Sequence, residues 1–186
     1  MKGRLSLICH GPTPANRAGR FPADEALEEK AANEAGRLLP RLGTVDRVLT
    51  SPALRARQTA MALSPDHIVE PGLDECGYGR WQGRRIADLG DAEPENLALW
   101  MTDFAAAPHG GEAFSSVFER VGAWLDGRLG ERGHSVAVTH ATVVRAAVLH
   151  VLGAPPQAFW TIGVEPFAIT EMTTDGRRWQ LRFPAG

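Results

Sequence analysis

The sequence predicts an α/β fold, a three-layer α/β/α sandwich around a mainly parallel sheet. Strand patterns alternate with helical patterns up to about residue 152, which is typical of a parallel sheet covered on both faces. Two buried strand patterns also end directly before a histidine, where open α/β sheets bind their ligands. The 186 residues are enough for one domain, predicted over 1–186, whose core needs no disulfide or metal support.

The composition indicates which kinds of binding partner are unfavourable. The formal net charge of -2 and the pI near 6.3 argue against a general affinity for nucleic acid or for acidic membranes. We also expect no membrane span and no secretion signal, and hence a cytoplasmic protein. Cys9 and Cys76 are too few for a disulfide framework. Anion binding would therefore depend on locally placed arginines.

The first strand prediction places His10 at a sheet edge. Leu5–Cys9 is apolar except for Ser6, and Gly11 with Pro12 then stops the strand. A single histidine in such a place is most often an ordinary core or loop residue. Ser135–Thr139 repeats the pattern and is followed by His140. Two histidines at strand ends could therefore face each other across a pocket.

A loop and a helix are expected next. Residues 14–22 are rich in proline and glycine, which predicts a loop. From Asp24 to Gly43 the pattern is helical, with Asp24 as the N-cap and Gly43 as the stop. The apolar positions of this helix are Leu27, Ala31, Leu38 and Leu42.

A second strand and helix follow. Val45–Thr50 is the strand, and Ser51 is expected to cap a helix from Pro52 to about Leu63. Arg55 and Arg57 lie in the first two turns of that helix. Because a helix N-terminus favours an anion and Arg55 adds a full charge, this segment is a candidate anion site. The alternative is a solvated helix face with surface arginines.

The rest of the chain completes the pattern. His67–Glu70 is a short strand, and residues 73–83 form an irregular, glycine-rich loop in which Asp74 and Glu75 could be a general acid or merely solvated. The remaining predictions are helical pieces in Ile86–Phe104 broken near Pro94, a turn over 108–112, an amphipathic helix from Phe114 to Leu125, a helix from Thr142 to Leu152, and a hairpin in Phe167–Phe183 around Asp175 and Gly176.

Five short motifs in this order resemble the histidine phosphatase superfamily, the phosphoglycerate mutase-like enzymes, over nearly the whole chain. Each is short, but their order is specific. They are Cys9-His10-Gly11 with Asn16 and Arg20-Phe21; the segment Ser51–Ala60; Glu75 followed by Gly77-Tyr78-Gly79 and Trp81-Gln82-Gly83; Gly110-Gly111-Glu112; and Val138-Thr139-His140.

The resemblance implies a catalytic trio of His10, Glu75 and His140. His10 would take the phosphoryl group and Glu75 would protonate the leaving oxygen. A neutral imidazole is nucleophilic near pH 7, and a transferring phosphoryl group needs positive charge and oriented donors. The resemblance also implies no metal and no other cofactor. Phosphate would be held by Arg55, Asn16, Gly11 and His140, and the substrate rim would include Thr13, Arg20 and Cys9.

The chain also departs from the family pattern. Cys9 stands where the family has an arginine that contacts phosphate, and the loss of one such donor typically costs about a hundredfold to a thousandfold in rate. Pro22 and Ala23 replace a small hydroxyl residue and a glycine at the pocket rim, and Ala141 replaces a glycine beside His140. These changes leave the predicted fold intact and bear on activity and specificity.

Three functions remain open at this point. The preferred one is a metal-independent phosphomonoester hydrolase acting on a small phosphorylated metabolite, as a monomer or homodimer. The second is a weakly active or non-catalytic protein that binds a phosphate ligand, and the third is a phosphoglycerate mutase-type phosphotransferase. A separate hypothesis is a zinc site formed by Cys9, Cys76, His10 and His140, although their spacing matches no short zinc motif.

Overall fold

The computed structural model describes residues 3–183. Its centre is one six-stranded sheet with the order β3-β2-β4-β1-β5-β6. The four strands from β3 to β1 are parallel, and the last two are antiparallel to their neighbours. The strands are β1 (Gly3–Cys9), β2 (Arg47–Thr50), β3 (His67–Val69), β4 (Gly133–Thr139), β5 (Ile169–Thr174) and β6 (Trp179–Arg182).

Eight α-helices connect or cover these strands in the described part of the chain. Short 3₁₀ turns lie at 36–38, 71–73, 79–81 and 156–161. The helices are α1 (Pro14–Arg17), α2 (Ala31–Ala35), α3 (Leu39–Leu42), α4 (Leu54–Leu63), α5 (Ile86–Ala92), α6 (Pro94–Thr102), α7 (Phe114–Asp126) and α8 (Ala141–Leu152). Within residues 3–183 none of them has the length and apolarity needed to cross a bilayer.

Side-chain alternation along the strands divides the core between the two faces of the sheet. Leu7 of β1 and Ala137 of β4 pack in the cluster that contains α7 and α8. Ile8 and Val138, the next residues along, pack with α4 on the other face. Because successive strand side chains point to opposite faces, the sheet lies between two helical layers. The predicted three-layer sandwich with a mainly parallel sheet is confirmed.

Strand register brings the two predicted histidines together. Cys9 of β1 pairs with Thr139 of β4, so the residues that follow these strands are neighbours at one edge of the sheet. The break near Pro94 and the C-terminal hairpin are also confirmed, since α5 ends at Ala92 and β5 turns into β6 through residues 175–178.

Two predicted helix starts are wrong. The helix expected from Asp24 begins only at Ala31, and Asp24 instead accepts a hydrogen bond from the amide of Leu54 at 2.7 Å, at the start of α4. The helix expected from Pro52 begins at Leu54, and its N-cap is Ala53 rather than Ser51. The carboxylate of Asp24 therefore occupies the helix N-terminus at which an anion was expected.

Candidate active site

Three residues that directly follow adjacent parallel strands form the centre of the site. His10 follows β1, His140 follows β4 and Ser51 follows β2. The amide of His10 donates to the carbonyl of Thr139 at 2.9 Å, and the amide of Ser51 donates to that of Val138 at 2.9 Å. These bonds continue the ladder one residue past the strands. As a result the two imidazoles face each other, with ring centroids 5.1 Å apart.

Hydrogen bonds define the orientation of His10. Its Nδ1 lies 2.7 Å from the carbonyl of Gly11 and donates to it, while Nε of Arg55 donates to its Nε2 at 3.2 Å. The network thus assigns the proton to Nδ1 and leaves a lone pair on Nε2. Burial, and secondly the Arg55 charge, lowers the pKa of His10 to about 4. The imidazole is therefore neutral, and its Nε2 lone pair accepts from the guanidinium.

Gly11 is confined by its surroundings. A Cβ at this position would lie 2.6 Å from Cζ of Phe167, so no larger residue fits without displacing that ring. Phe167 has a positive φ of 64° and donates from its amide to the carbonyl of Cys9 at 3.0 Å. The amide of Gly11 donates to Oγ1 of Thr59 at 3.1 Å. Both backbone polar groups of Gly11 are thus occupied, and its carbonyl orients His10.

Arg55 is the cation of the site. It is only 2% exposed, and its Nη1 donates to the carbonyl of Ala23 at 2.7 Å. Its Nη2 lies 3.2 Å from Nδ1 of His140 and 3.6 Å from Oε2 of Glu75. Because Nε contacts His10, one guanidinium reaches all three residues of the predicted catalytic trio. A planar group with five donors suits this arrangement better than a lysine would.

His140 is completely buried. Its Nδ1 accepts from Arg55, so its Nε2 carries the proton and donates to Oγ of Ser51 at 2.7 Å. Oγ of Ser51 in turn lies 3.2 Å from Oδ1 of Asp74. Burial, followed by the charges of Arg55 and His10, lowers the pKa of His140 well below its ordinary value. The second imidazole is therefore also neutral and presents Nδ1 to the centre of the site.

Glu75 completes the trio. Its Oε2 lies 3.4 Å from Nδ1 of His140, and its Oε1 accepts from the amide of Cys76 at 2.9 Å. Burial raises the pKa of Glu75, and the nearby Arg55 only partly opposes that shift. A carboxyl group with a raised pKa keeps its proton to higher pH and is suited to act as a general acid.

Arg120, which the sequence analysis did not single out, holds the loop that carries Glu75. From α7 it donates to the carbonyls of Gly72 at 3.1 Å and Glu75 at 3.2 Å, and it pairs with Glu112 through two hydrogen bonds of 2.8 and 3.0 Å. The motif at 110–112 thus has a structural role. A Cβ at Gly111 would lie 1.8 Å from the carbonyl oxygen of Gly77, so glycine lets the two loops touch.

The remaining predicted site residues lie around this centre. Asn16 is exposed on α1, where its Oδ1 accepts from the amide and hydroxyl of Thr13 in a capping box. Thr13 and Cys9 are 0% and 3% exposed, so they lie beneath the surface and do not form an open rim. Arg20 is exposed, and its guanidinium donates to the carbonyl of Gly83 at 2.8 Å.

The zinc hypothesis has no support. Among residues 3–183 no three His, Cys, Asp or Glu side chains are grouped so that they could hold a metal ion. Burial raises the pKa of the Cys9 thiol to about 12 and also raises that of Cys76, whereas zinc is bound by thiolates. The two cysteines are small buried residues, next in sequence to His10 and Glu75.

A cavity of about 300 Å³ opens beside Arg55 and Glu75. Its size corresponds to a small-molecule ligand. Its walls come from the 22–24 loop, the segment that leads into α4, the Glu75 loop and Gln82, which follows the 3₁₀ turn at 79–81. The lining residues are Pro22, Ala23, Asp24, Pro52, Ala53, Arg55, Asp74, Glu75, Cys76, Gly77 and Gln82.

Comparison with known proteins identifies the family. The family model of the histidine phosphatase superfamily (branch 1) matches residues 5–185. The adenosylcobalamin/alpha-ribazole phosphatase of Salmonella typhi is 34% identical over 174 residues, which cover 87% of this chain and 86% of that protein.

Two solved structures share the fold closely. A putative alpha-ribazole-5'-phosphate phosphatase from Escherichia coli has a TM-score of 0.85 at 28% identity and covers 96% of this chain and 94% of its own. A mycobacterial glucosyl-3-phosphoglycerate phosphatase has a TM-score of 0.85 at 25% identity and covers 96% of each chain. This chain therefore belongs to the histidine phosphatase superfamily (branch 1), and it shares with these relatives the enzyme class of phosphatase.

Proposed function

We propose that this protein is a metal-independent phosphomonoester hydrolase that forms a phosphohistidine on His10. The observation that carries the proposal is the state of that imidazole. Its Nδ1 proton is held by the carbonyl of Gly11, and its Nε2 lone pair faces the guanidinium of Arg55 at 3.2 Å. A neutral nitrogen nucleophile beside a buried cation is suited to attack a phosphoryl group that the cation has already bound.

In the first step Nε2 of His10 forms a bond to phosphorus and the bond from phosphorus to the ester oxygen breaks. The proton of the Glu75 carboxyl passes to the leaving oxygen, which departs as an alcohol. Arg55 donates to Nε2 of His10, so the guanidinium lies beside the nucleophile. Once that contact opens, it can hold the phosphoryl group by charge-assisted hydrogen bonds. Arg55 supplies the positive charge that the transferring group requires.

In the second step water attacks phosphorus, and the bond from phosphorus to Nε2 breaks. The Glu75 carboxylate accepts the proton from water, so the enzyme returns to its starting state and inorganic phosphate leaves. His140 lies 3.4 Å from Glu75. Once phosphate binding brings a proton to its Nδ1, both ring nitrogens donate and His140 contributes to phosphate binding. The same carboxyl group serves as acid and then as base, as general acid-base catalysis allows.

The binding-protein alternative has one specific observation in its favour. The neutral thiol of Cys9 stands where the resemblance expects an arginine, and it supplies no charge because burial raises its pKa to about 12. The complete trio of His10, Glu75 and His140 around Arg55 supports catalysis over simple binding. We propose that the Cys9 substitution lowers the rate without abolishing turnover.

The test is a phosphoenzyme experiment with wild-type protein and His10→Ala. We expect hydrolysis of p-nitrophenyl phosphate that persists in chelator and is lost in His10→Ala. A rapid quench should trap a phosphoenzyme that is stable to base and labile to acid, as a phosphoramidate is. Phosphate found on serine or aspartate, or an obligatory divalent metal, would contradict the proposal.

A further inference from the structure

We propose that the cavity selects phosphomonoesters whose leaving alcohol carries hydrogen-bond donors and no negative charge. The inference rests on the proposed function, because it assumes that phosphate binds at Arg55 and His10. Glu75 lines the cavity and is the proposed proton donor to the ester oxygen. The leaving alcohol must therefore occupy the part of the cavity beyond Glu75, and the chemistry of that part decides which alcohols fit.

The walls beyond Glu75 are acidic and neutral. Asp24 and Asp74 contribute carboxylates, and Gln82 contributes a carboxamide. Arg55 is the one cationic side chain among the lining residues, and the proposed phosphate site uses it. A carboxylate or a second phosphate on the leaving group would therefore meet two carboxylates and no available cation.

Arg57 lines a separate pocket, and four further arginines near the cavity are engaged with other partners. Each is tied to a carboxylate or a backbone carbonyl outside the cavity, so none is free to swing toward an anionic leaving group without losing that contact. They are Arg20 with the carbonyl of Gly83, Arg80 and Arg84 with Glu93, and Arg120 with Glu112.

Asp24 and Asp74 each have a carboxylate oxygen available for substrate. Oδ1 of Asp24 accepts from the amide of Leu54 at 2.7 Å, and Oδ1 of Asp74 accepts from the amide of Glu75 at 2.8 Å. Within residues 3–183 no protein donor contacts Oδ2 of either residue. Hydroxyl or ammonium groups of a leaving alcohol could donate to these oxygens. A carboxylate on the alcohol would be repelled by the same oxygens. The cavity would thus combine attraction for one class of alcohol with repulsion of another, as specific sites commonly do.

This charge distribution also bears on the mutase alternative. A phosphoglycerate mutase-type reaction must hold a carboxylate on the substrate while phosphate lies at Arg55. The cavity lining offers the carboxylates of Asp24 and Asp74 and no cation besides Arg55. The inference therefore favours hydrolysis of neutral or cationic esters over transfer between phosphoglycerates.

The experiment compares three esters of similar size that differ in the charge of the alcohol. They are glycerol 3-phosphate, O-phosphoethanolamine and 3-phosphoglycerate, assayed by phosphate release at low ionic strength, where exposed charges are least screened. We expect kcat/KM for the first two to exceed that for 3-phosphoglycerate by about tenfold or more. A preference for O-phosphoethanolamine over glycerol 3-phosphate would indicate pairing with an ammonium, and the reverse order would indicate hydrogen bonds to hydroxyls.

Asp24→Asn tests the origin of the selectivity. Asparagine keeps an oxygen that can accept from Leu54, so the variant removes charge while it can retain the cap. We divide kcat/KM for glycerol 3-phosphate by kcat/KM for 3-phosphoglycerate. This ratio should fall about threefold or more in the variant, because one repulsive charge is gone. Asp91→Asn, at an exposed position of α5 outside the cavity lining, is the matched control and should leave the ratio unchanged.

Two outcomes would overturn the inference. One is 3-phosphoglycerate as an equal or better substrate, and the other is a ratio that neither Asp24→Asn nor Asp74→Asn changes. Failure to hydrolyse even p-nitrophenyl phosphate would instead contradict the proposed hydrolase. In that case calorimetric Kd values for the same three esters decide the selectivity separately, and weaker binding of 3-phosphoglycerate than of the other two is the supporting result.

Discussion

The hydroxyl oxygen of Ser51 lies 2.7 Å from Nε2 of His140. Since Nδ1 of His140 accepts from Arg55, Nε2 must donate, and the hydroxyl of Ser51 in turn donates to Oδ1 of Asp74 at 3.2 Å. The serine therefore fixes the tautomer of His140 without contacting the proposed phosphate site. It is a positioning residue.

Ser51→Ala should lower kcat with little change in KM. The variant leaves the buried Nε2 proton of His140 without a partner, which costs about 1 to 3 kcal/mol and corresponds to roughly fivefold to 150-fold in rate if the whole cost appears in the transition state. Steady-state kinetics on one aryl phosphate measure this. Ser51→Thr keeps the hydroxyl and should recover most of the loss, whereas equal damage from both variants would indicate a packing role.

Glu75→Gln should separate substrates by their leaving groups. Aryl phosphates need little protonation, so we expect the variant to slow alkyl phosphates about a hundredfold more than aryl phosphates, within the usual range of general acid catalysis. The ratio of the two rates is the quantity to measure. If both classes slow equally, Glu75 positions the substrate and the proton comes from another group.

The dependence of kcat/KM on pH should reflect the proposed roles of His10 as nucleophile and Glu75 as general acid. The nucleophile must be neutral, so kcat/KM should rise with pH through the His10 pKa of about 4. The acid must be protonated, so the rate on alkyl phosphates should fall as pH rises through the raised pKa of Glu75. Glu75→Gln should remove the alkaline limb and keep the acid limb. Because both proteins are assayed on the same ester, ionisation of the substrate cancels in the comparison.

Acid should destabilise the fold through the same histidine. The pKa of His10 is about 4 in the folded chain and about 6.5 when unfolded, so the unfolded state binds the proton more strongly. Neutral His10 therefore stabilises the fold above about pH 6.5, and this contribution is lost as pH falls toward 4. The free energy of unfolding should drop by about 2 to 3 kcal/mol between pH 7 and 4.5 from this residue.

Urea unfolding of His10→Asn should show a smaller loss of unfolding free energy between these two pH values than the wild type shows. The lowered pKa of His140 acts in the same direction, so some acid sensitivity should remain. The surface variant His150→Asn is the control. A wild-type-like slope for His10→Asn would mean that His10 is not held neutral in the fold.

Cys9→Arg should raise turnover of p-nitrophenyl phosphate about tenfold or more, on the order of 1.4 kcal/mol of barrier, because it returns a charged, bidentate donor beside His10. Cys9 is only 3% exposed, so circular dichroism and thermal unfolding must first show that the variant folds. Cys9→Met adds bulk without charge and should not raise the rate. A folded Cys9→Arg variant with unchanged or lower turnover would show that Cys9 does not limit activity.

The placement of His10 and His140 at the carboxyl edge of the sheet could be predicted from the sequence, because the signals for it are local. His10 and His140 each follow a buried strand pattern, and their meeting across 5.1 Å follows from the rule that parallel strands end at one edge. The order of the sheet, in which β4 separates β1 from β2, has no local signal. It is the order that makes Ser51 a neighbour of His140.

The two wrong helix starts share one physical cause, which is that a polar side chain can bond to a partner distant in sequence rather than to the nearest helix. Asp24 caps α4, thirty residues away, and Ser51 bonds to His140 rather than starting a helix. Arg120 has no local signal at all, since an arginine on the polar face of an amphipathic helix is ordinary. Its contacts with Gly72 and Glu75 exist only once α7 packs on the loop.

The insertion of β4 between β1 and β2 also fixes the order in which this enzyme can become active. β4 must enter between two strands that lie far upstream in the chain, and parallel pairing over such a separation requires the closure of long loops. His140 is therefore absent from the site while the chain up to α7 emerges during synthesis. On refolding, catalytic activity should return later than helical structure, because activity requires β4 to pair with both β1 and β2.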